Sequence, residues 1–167
     1  MKKITTTKRL YLREANLDDA EFILELMNDK DWIKNIGDKG VRTIEDAQAY
    51  IQNRFLKTYT ESNCGFYSLN LKKNHQFIGI AGLVDREGLD HIDIGYGMLP
   101  QFRGNGYAFE ATKAIYDYGY QDLKLEKIVA IVNPDNLSSI KLLSKLGLEF
   151  EKMIRLPDEE IDILLYS

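Results

Sequence analysis

Three strand-like runs, GFYSLNLK (65–72), QFIGIAGLVD (76–85) and HIDIGYGMLP (91–100), follow one another with only KNH and REGLD between them. Connectors that short cannot carry a crossover. They force antiparallel neighbours, so the middle of the chain is a meander and not a string of parallel βαβ units. Directly after the third run comes QFRGNGYAFEAT (101–112), with two glycines two apart. The period then changes to that of a helix, from about Gly104 to Asp122, with Tyr107, Ala111, Ile115 and Tyr118 on one stripe. A strand thus feeds a helix through a glycine turn.

The flanks fit around this centre. RLYLREA (9–15) alternates apolar and polar residues as a half-buried strand does. LDDAEFILELMND (17–29) places Leu17, Ala20, Ile23, Leu24 and Met27 on one helical stripe. DWIKNIGDKGVR (31–42) carries turn residues and reads as a loop. Residues 43–61 read as a second helix, with Thr43 as N-cap and Asp46 three residues on. KIVAIV (127–132) is a buried strand broken by NPDN. LSSIKLLSKL is a helix stopped by Gly147, and EFEKMIRL (149–156) and IDILLY (161–166) are closing strands. The order β-α-α-β-β-β-α-β-α-β-β predicts an α+β domain over residues 1–167. Its mixed sheet joins an antiparallel meander to one βαβ crossover, with helices on both faces.

Bulk properties exclude several classes. The chain has 167 residues, 44% hydrophobic and 29% charged, which suits one domain with a sizeable core. A net charge of −4 argues against a nucleic-acid partner. Cys64 is the only cysteine, so no intrachain disulfide is expected, in keeping with a reducing compartment. No run approaches a signal peptide or the roughly 20 apolar residues of a membrane span. The expectation is a cytoplasmic protein without membrane contact or metal, as a monomer or homodimer.

The glycine turn admits three readings. A Walker loop needs Lys and Ser/Thr after the second glycine, but Tyr107 and Ala108 follow Gly106. A dinucleotide fingerprint needs a third glycine where Phe109 stands. A generic pyrophosphate cradle survives. In it, Gly104 and Gly106 turn backbone N–H groups inward, the helix start adds its free donors, and Arg103 adds charge. A plain loop with two turn glycines competes with it.

Gln101, Gly104 and Gly106 form Q-x-x-G-x-G between a strand and a helix, which resembles the acetyl-CoA motif of the GNAT N-acetyltransferases. Asp93-Ile94-Gly95-Tyr96 and Glu110-Ala111 resemble the branch that includes the ribosomal-protein alanine N-acetyltransferases. Asn136, Ser139, Leu142, Lys145 and Gly147 fall in register with a second motif of the family. The resemblance covers essentially the whole chain. It implies acetyl-CoA as cosubstrate and a primary amine acceptor, either a protein N-terminus or a small amine. It also implies two parallel strands splaying apart near Leu99 and Val132, with the coenzyme arm in the gap and a strand bulge freeing the groups that meet it.

The cofactor-binding residues then expected are Met98, Leu99, Gln101, Phe102, Arg103, Gly104, Asn105, Gly106, Tyr107, Ala108, Asn133, Asn136 and Ser139. A backbone N–H at Met98 or Leu99 is the expected oxyanion donor. Asp93 is the candidate base, directly or through water, with Gly95 and Gly97 beside it leaving room for an approaching group; its competing reading is a solvated strand-edge carboxylate. His91 is the alternate base. Leu143 stands where many relatives carry tyrosine, which leaves the general acid open. Ser139 is the other catalytic candidate, able to orient a water or bind the arm, or to serve as a local backbone partner. Trp32 is placed either against the acceptor or in packing. A GNAT-like module that binds acetyl-CoA without turnover is the alternative from another class.

Overall fold

The computed structural model of the chain describes residues 2–157 and 159–167. Two strands, β1 (Lys3–Thr6) and β2 (Leu10–Glu14), precede helices α1 (Ala20–Met27) and α2 (Lys30–Ile36). Helix α3 (Ile44–Tyr50) runs through a π-turned stretch (Ile51–Leu56) into α4 (Lys57–Glu61). Then come β3 (Gly65–Leu71), β4 (Phe77–Val84), β5 (Ile92–Met98), α5 (Tyr107–Gln121), β6 (Ile128–Val132), α6 (Leu137–Leu146), β7 (Phe150–Ile154) and β8 (Ile163–Tyr166). The eight strands form one sheet in the order β1-β2-β3-β4-β5-β6-β8-β7. The meander is antiparallel, as the short connectors require, and β5 pairs with β6 in parallel.

Two differences from the sequence reading stand out. Lys3–Thr6 is a strand the pattern does not announce. It is an edge strand with no buried residue, so alternation carries no signal there. Residues 30–36 are a helix rather than loop. Asp29 caps it, accepting from the N–H groups of Asp31 and Trp32 at 3.2 Å each, and Gly37 ends it at φ +102°. The element buries only Trp32, too little for a periodic stripe.

The apolar side chains divide between the two faces of the sheet. One core gathers Ile78, Leu83, Ile94 and Met98 with Ala111 and Ile115 of α5 and Leu142 and Leu146 of α6. The other gathers Ile80 and Leu99 with Ile23, Leu26, Trp32, Ile51 and Phe55. Burial on both faces explains why β4 reads as a continuous apolar run.

Beneath α5 and α6 the sheet opens. β5 pairs with β6 only at Ile92–Ile128 and Asp93–Val129, after which β6 pairs with β8 through Ala130, Ile131 and Val132. The β4–β5 ladder keeps one register from Val84–Asp93 to Gly79–Met98, so no bulge opens the gap. The divergence of β6 toward β8 does so.

Candidate active site

A cleft of about 660 Å³ lies over this gap. Tyr96, Gly97 and Met98 of β5 form its floor. The turn and first residues of α5 form one wall, α6 from Asn136 to Lys145 another, and α2 from Asp31 to Ile36 a third. Of the residues the sequence singles out, Met98, Phe102, Arg103, Gly104, Gly106, Tyr107, Ala108, Asn136 and Ser139 line it. Asp93, Leu99, Gln101, Asn105 and Asn133 lie outside the lining.

The turn has the geometry its glycines suggest. Gly104 and Gly106 sit at φ +73° and +76°, and a Cβ on Gly104 would meet nothing within 4 Å. The first N–H taken up by helix α5 is that of Glu110, onto the Gly106 carbonyl at 3.1 Å. The N–H groups of Tyr107, Ala108 and Phe109 therefore precede the helical ladder, and no side chain caps them. Free donors and the positive end of a helix of 15 residues converge on one edge of the cleft. This donor set and the open space at Gly104 fit a diphosphate.

The cation at this turn is not the one the sequence points to. Arg103 turns toward α2, where Nη2 meets Asp29 at 2.5 Å and Nη1 meets Asp31 at 2.6 Å, while Nε donates to the Met98 carbonyl at 3.1 Å. This pairing, together with the N–H groups Asp29 caps, outweighs burial and holds the Asp29 carboxyl below its usual range. Gln101 likewise turns away, donating to Glu25 at 3.2 Å, and the Asn105 side chain folds back onto the carbonyls of Phe102 and Arg103. Arg9, which sequence reasoning passes over, stands behind the turn instead. It donates to Asn105 O at 2.9 Å and to Glu110 Oε2 at 2.6 Å. Ninety-six residues separate Arg9 from Asn105, and no local pattern links them.

Backbone parity sorts the oxyanion candidates. The Leu99 N–H donates to Ile78 O at 3.0 Å and is not free. Hydrogen-bonded pairs alternate along an antiparallel ladder. With Leu99–Ile78 bonded, the N–H groups of Met98 and Tyr96 point away from β4, toward the gap. Met98 remains as a donor and Tyr96 joins it.

At the gap's wall the Tyr96 and Ser139 hydroxyls lie 2.8 Å apart. The Ser139 hydroxyl thus pairs across the cleft rather than with its own helix, while its N–H is capped by Asn136 Oδ1 at 3.2 Å. Burial pushes the Tyr96 phenol above its usual range, so it stays neutral, and either hydroxyl of the pair can donate to the other. Leu143, which stands where the resemblance leads one to expect a tyrosine, is core. Asn133 shapes the turn before α6: its Oδ1 accepts from Asp135 N–H at 3.1 Å and its carbonyl from Asn136 N–H at 2.9 Å.

Asp93 is not a solvated edge carboxylate. It is 2% exposed, pairs with Arg86 at 2.9 Å, and its Oδ1 accepts from the Ile131 N–H at 3.3 Å. That N–H lies where β6 leaves β5, so the carboxylate caps the fork of the splay. Desolvation raises its pKa to about 6, opposed by the Arg86 charge and hydrogen bond and by the Ile131 N–H. The room beside Gly97 is filled, and that beside Gly95 is bounded by Phe66. A Cβ on Gly97 would lie 2.5 Å from the Trp32 ring, and one on Gly95 3.4 Å from Phe66. Trp32 accordingly both packs on the strand and lines the cleft. His91 is exposed at the strand start.

This geometry has counterparts. The profile of the family described as "Acetyltransferase (GNAT) domain" matches residues 9–149. The chain belongs to the GNAT acetyltransferase family. A curated relative from Bacillus subtilis (strain 168), named as the uncharacterized N-acetyltransferase YnaD, is 30% identical over 166 residues, covering 97% of this chain and 94% of its own. Among solved structures, a GNAT-family acetyltransferase from Bacillus anthracis superposes with a TM-score of 0.80 at 26% identity, over 98% of this chain and 96% of that one. RimL, described as a ribosomal L7/L12 alpha-N-protein acetyltransferase in complex with coenzyme A, superposes with a TM-score of 0.83 over 99% and 96% of the two chains. At 17% identity that likeness shows the GNAT fold alone. Among the described residues of this acetyltransferase, no helix is long and apolar enough to cross a membrane. No cluster of three or more metal-ligating side chains occurs among them either.

Proposed function

We propose that this GNAT acetyltransferase moves an acetyl group from acetyl-CoA to the primary amine of a peptide N-terminus, in the cytoplasm. The observation that carries the reading is the opening of the sheet between β5 and β6 beside a positive-φ glycine turn. Acetyl-CoA supplies an activated thioester. Gly104, Gly106 and the N–H groups of Tyr107 to Phe109 would hold its diphosphate. Asn136, whose Oδ1 is used as a cap, keeps its Nδ2 for the arm. The N–H groups of Met98 and Tyr96 would take the charge that builds on the carbonyl oxygen. Ser139, backed by the neutral Tyr96 hydroxyl, would donate a hydrogen bond to the departing sulfur, whose low pKa asks for no stronger acid. Asp93 would accept the amine's proton through a water, since it lies behind the lining and not in it. A carboxylate with a pKa of about 6 is ionised at neutral pH yet basic enough to relay a proton.

The acceptor end favours a peptide over a polyamine. Asp29 and Asp31 are committed to Arg103, and Lys34 lines the cleft beside them, so on the α2 wall a polycation meets like charge and two carboxylates already paired. A thiol-release assay tests the reading with peptides bearing a free N-terminus, spermidine and an aminoglycoside. Peptide-dependent release several-fold above the other two is expected. Release with spermidine alone moves the acceptor class to small amines. Binding of acetyl-CoA without release for any amine leaves a cofactor-binding module.

A further inference from the structure

Arg9 is held on three sides. Its Nε donates to Glu110, its Nη1 to the Asn105 carbonyl, and its guanidinium lies 4.3 Å from the centre of the Tyr107 ring. Glu110 also accepts from the Arg9 N–H at 2.8 Å and the Thr7 hydroxyl at 2.5 Å. The turn between β1 and β2 and the first turn of α5 are therefore one polar unit. The peptide joining Asn105 to Gly106 is trans and planar, so its C=O and N–H point in opposite directions. With the carbonyl drawn to Arg9, the Gly106 N–H is turned away from Arg9. Gly106 lines the cleft and Arg9 does not. The Arg9 Nη2 lies 3.4 Å from where a Gly106 Cβ would stand, so a positive charge sits directly behind the turn. Arg103 cannot supply that charge from its place between Asp29 and Asp31.

We propose that Arg9 is the positioning residue of the phosphate-binding turn: it orients the Gly106 N–H toward the cleft and holds a positive charge behind it. The inference rests on the reading that the cleft takes acetyl-CoA. It makes affinity for the nucleotide end of that molecule depend on a side chain from the N-terminal hairpin.

Two acetyl donors test it on the full chain: acetyl-CoA, and S-acetylpantetheine, which has the same reactive arm and no phosphate. For Arg9→Gln, the KM and Kd for acetyl-CoA should rise about tenfold or more, the loss typical of a charge-assisted contact, with kcat within about twofold. kcat/KM for S-acetylpantetheine should stay within about twofold of the parent. Arg9→Lys, which keeps the charge and loses the fork, should fall between. Glu110→Gln, which loosens Arg9 and leaves it in place, should show the same selective pattern at about threefold; it decides the matter if Arg9→Gln does not fold. Equal losses with both donors mean a merely structural role and overturn the proposal, as does unchanged acetyl-CoA affinity in all three variants. A parent that uses the two donors equally well, or binds neither, overturns the reading of the cleft itself.

Discussion

Two pairs of glycines lie within a dozen residues of each other and do opposite things. Gly95 and Gly97 sit in a strand, where any residue could adopt the backbone; the Trp32 ring presses on Gly97, and Phe66 lies at contact distance from Gly95. Gly104 and Gly106 sit at positive φ, Gly104 in open space and Gly106 with only the end of the Arg9 side chain 3.4 Å from where its Cβ would stand, and both are glycine because of the backbone. In the first pair the missing Cβ makes room for the protein's own aromatic rings. In the second it permits a conformation that bares N–H groups. A short spacing of glycines therefore says nothing by itself about which service is rendered.

Gly97→Val should sharpen this contrast most. A branched side chain would drive into the Trp32 ring, and overpacking of this kind costs about 3 kcal/mol or more. Thermal melting should fall by roughly ten degrees. Trp32→Ala in the same chain should restore much of the loss, and failure of that rescue would detach Gly97 from Trp32.

Asp93 shares the strand face of Gly95 and Gly97, and tests whether that face also serves chemistry. Asp93→Asn should keep acetyl-CoA affinity and lower turnover at least tenfold, base catalysis being worth about 10²–10⁴-fold. The parental kcat/KM should fall as pH drops through about 6, where Asp93 takes up its proton, and the variant should lack that inflection. Stability carries the opposite sign. The folded pKa is raised, so ionisation is disfavoured in the fold, and the parent should lose stability as pH rises from about 4 to about 6. Linkage limits the effect to about 3 kcal/mol. The melting temperature of Asp93→Asn minus that of the parent should therefore grow across this window and level off above it. A purely structural cap at the Ile131 N–H predicts a variant that melts lower at every pH with activity reduced by one constant factor.

Gly104→Val and Gly106→Val should leave the fold intact and abolish stabilisation by coenzyme A. In the parent that stabilisation is about 2.7 kcal/mol at a hundred times Kd, with ATP or NAD at equal concentration giving much less. Equal shifts with all three ligands would mean that the diphosphate is held without the arm. The smallest effect belongs to Gly104→Ala. With nothing within 4 Å of the new Cβ, only the positive φ opposes it, at about 1 kcal/mol.

Legibility followed the range of the interactions. The meander and both motif helices are legible because each rests on spacing within a few residues, whereas the splayed strands and their cleft are expected only through the resemblance to the GNAT family. Residues 31–42 read as loop because the seven-residue helix there buries one side chain, and β1 gives no signal because none of it is buried. Within the site, the turn's backbone was legible but its cation was not. Arg103 is the neighbour in sequence, yet two carboxylates on the far wall claim it, while Arg9 arrives from the first hairpin. The Tyr96–Ser139 pair likewise joins residues 43 positions apart.

By itself the sequence determined the α+β architecture, the antiparallel centre, the position of the glycine turn at the head of a helix, and the family. The architecture, the antiparallel centre and the glycine turn follow from connector length, periodicity and the conformational freedom of glycine, all local to the chain, and the family follows from the resemblance of its two motifs. Only the tertiary structure decided how the gap opens, by β6 leaving β5 for β8 with no bulge, and which N–H groups face it, because strand parity depends on the partner across the ladder. It also decided the state of Asp93: the same carboxylate on an open edge would titrate as usual, and burial beside Arg86 at the fork of the sheet moves it to about 6. Burial and charge pairing are set by elements distant in sequence, and only folding brings those elements together.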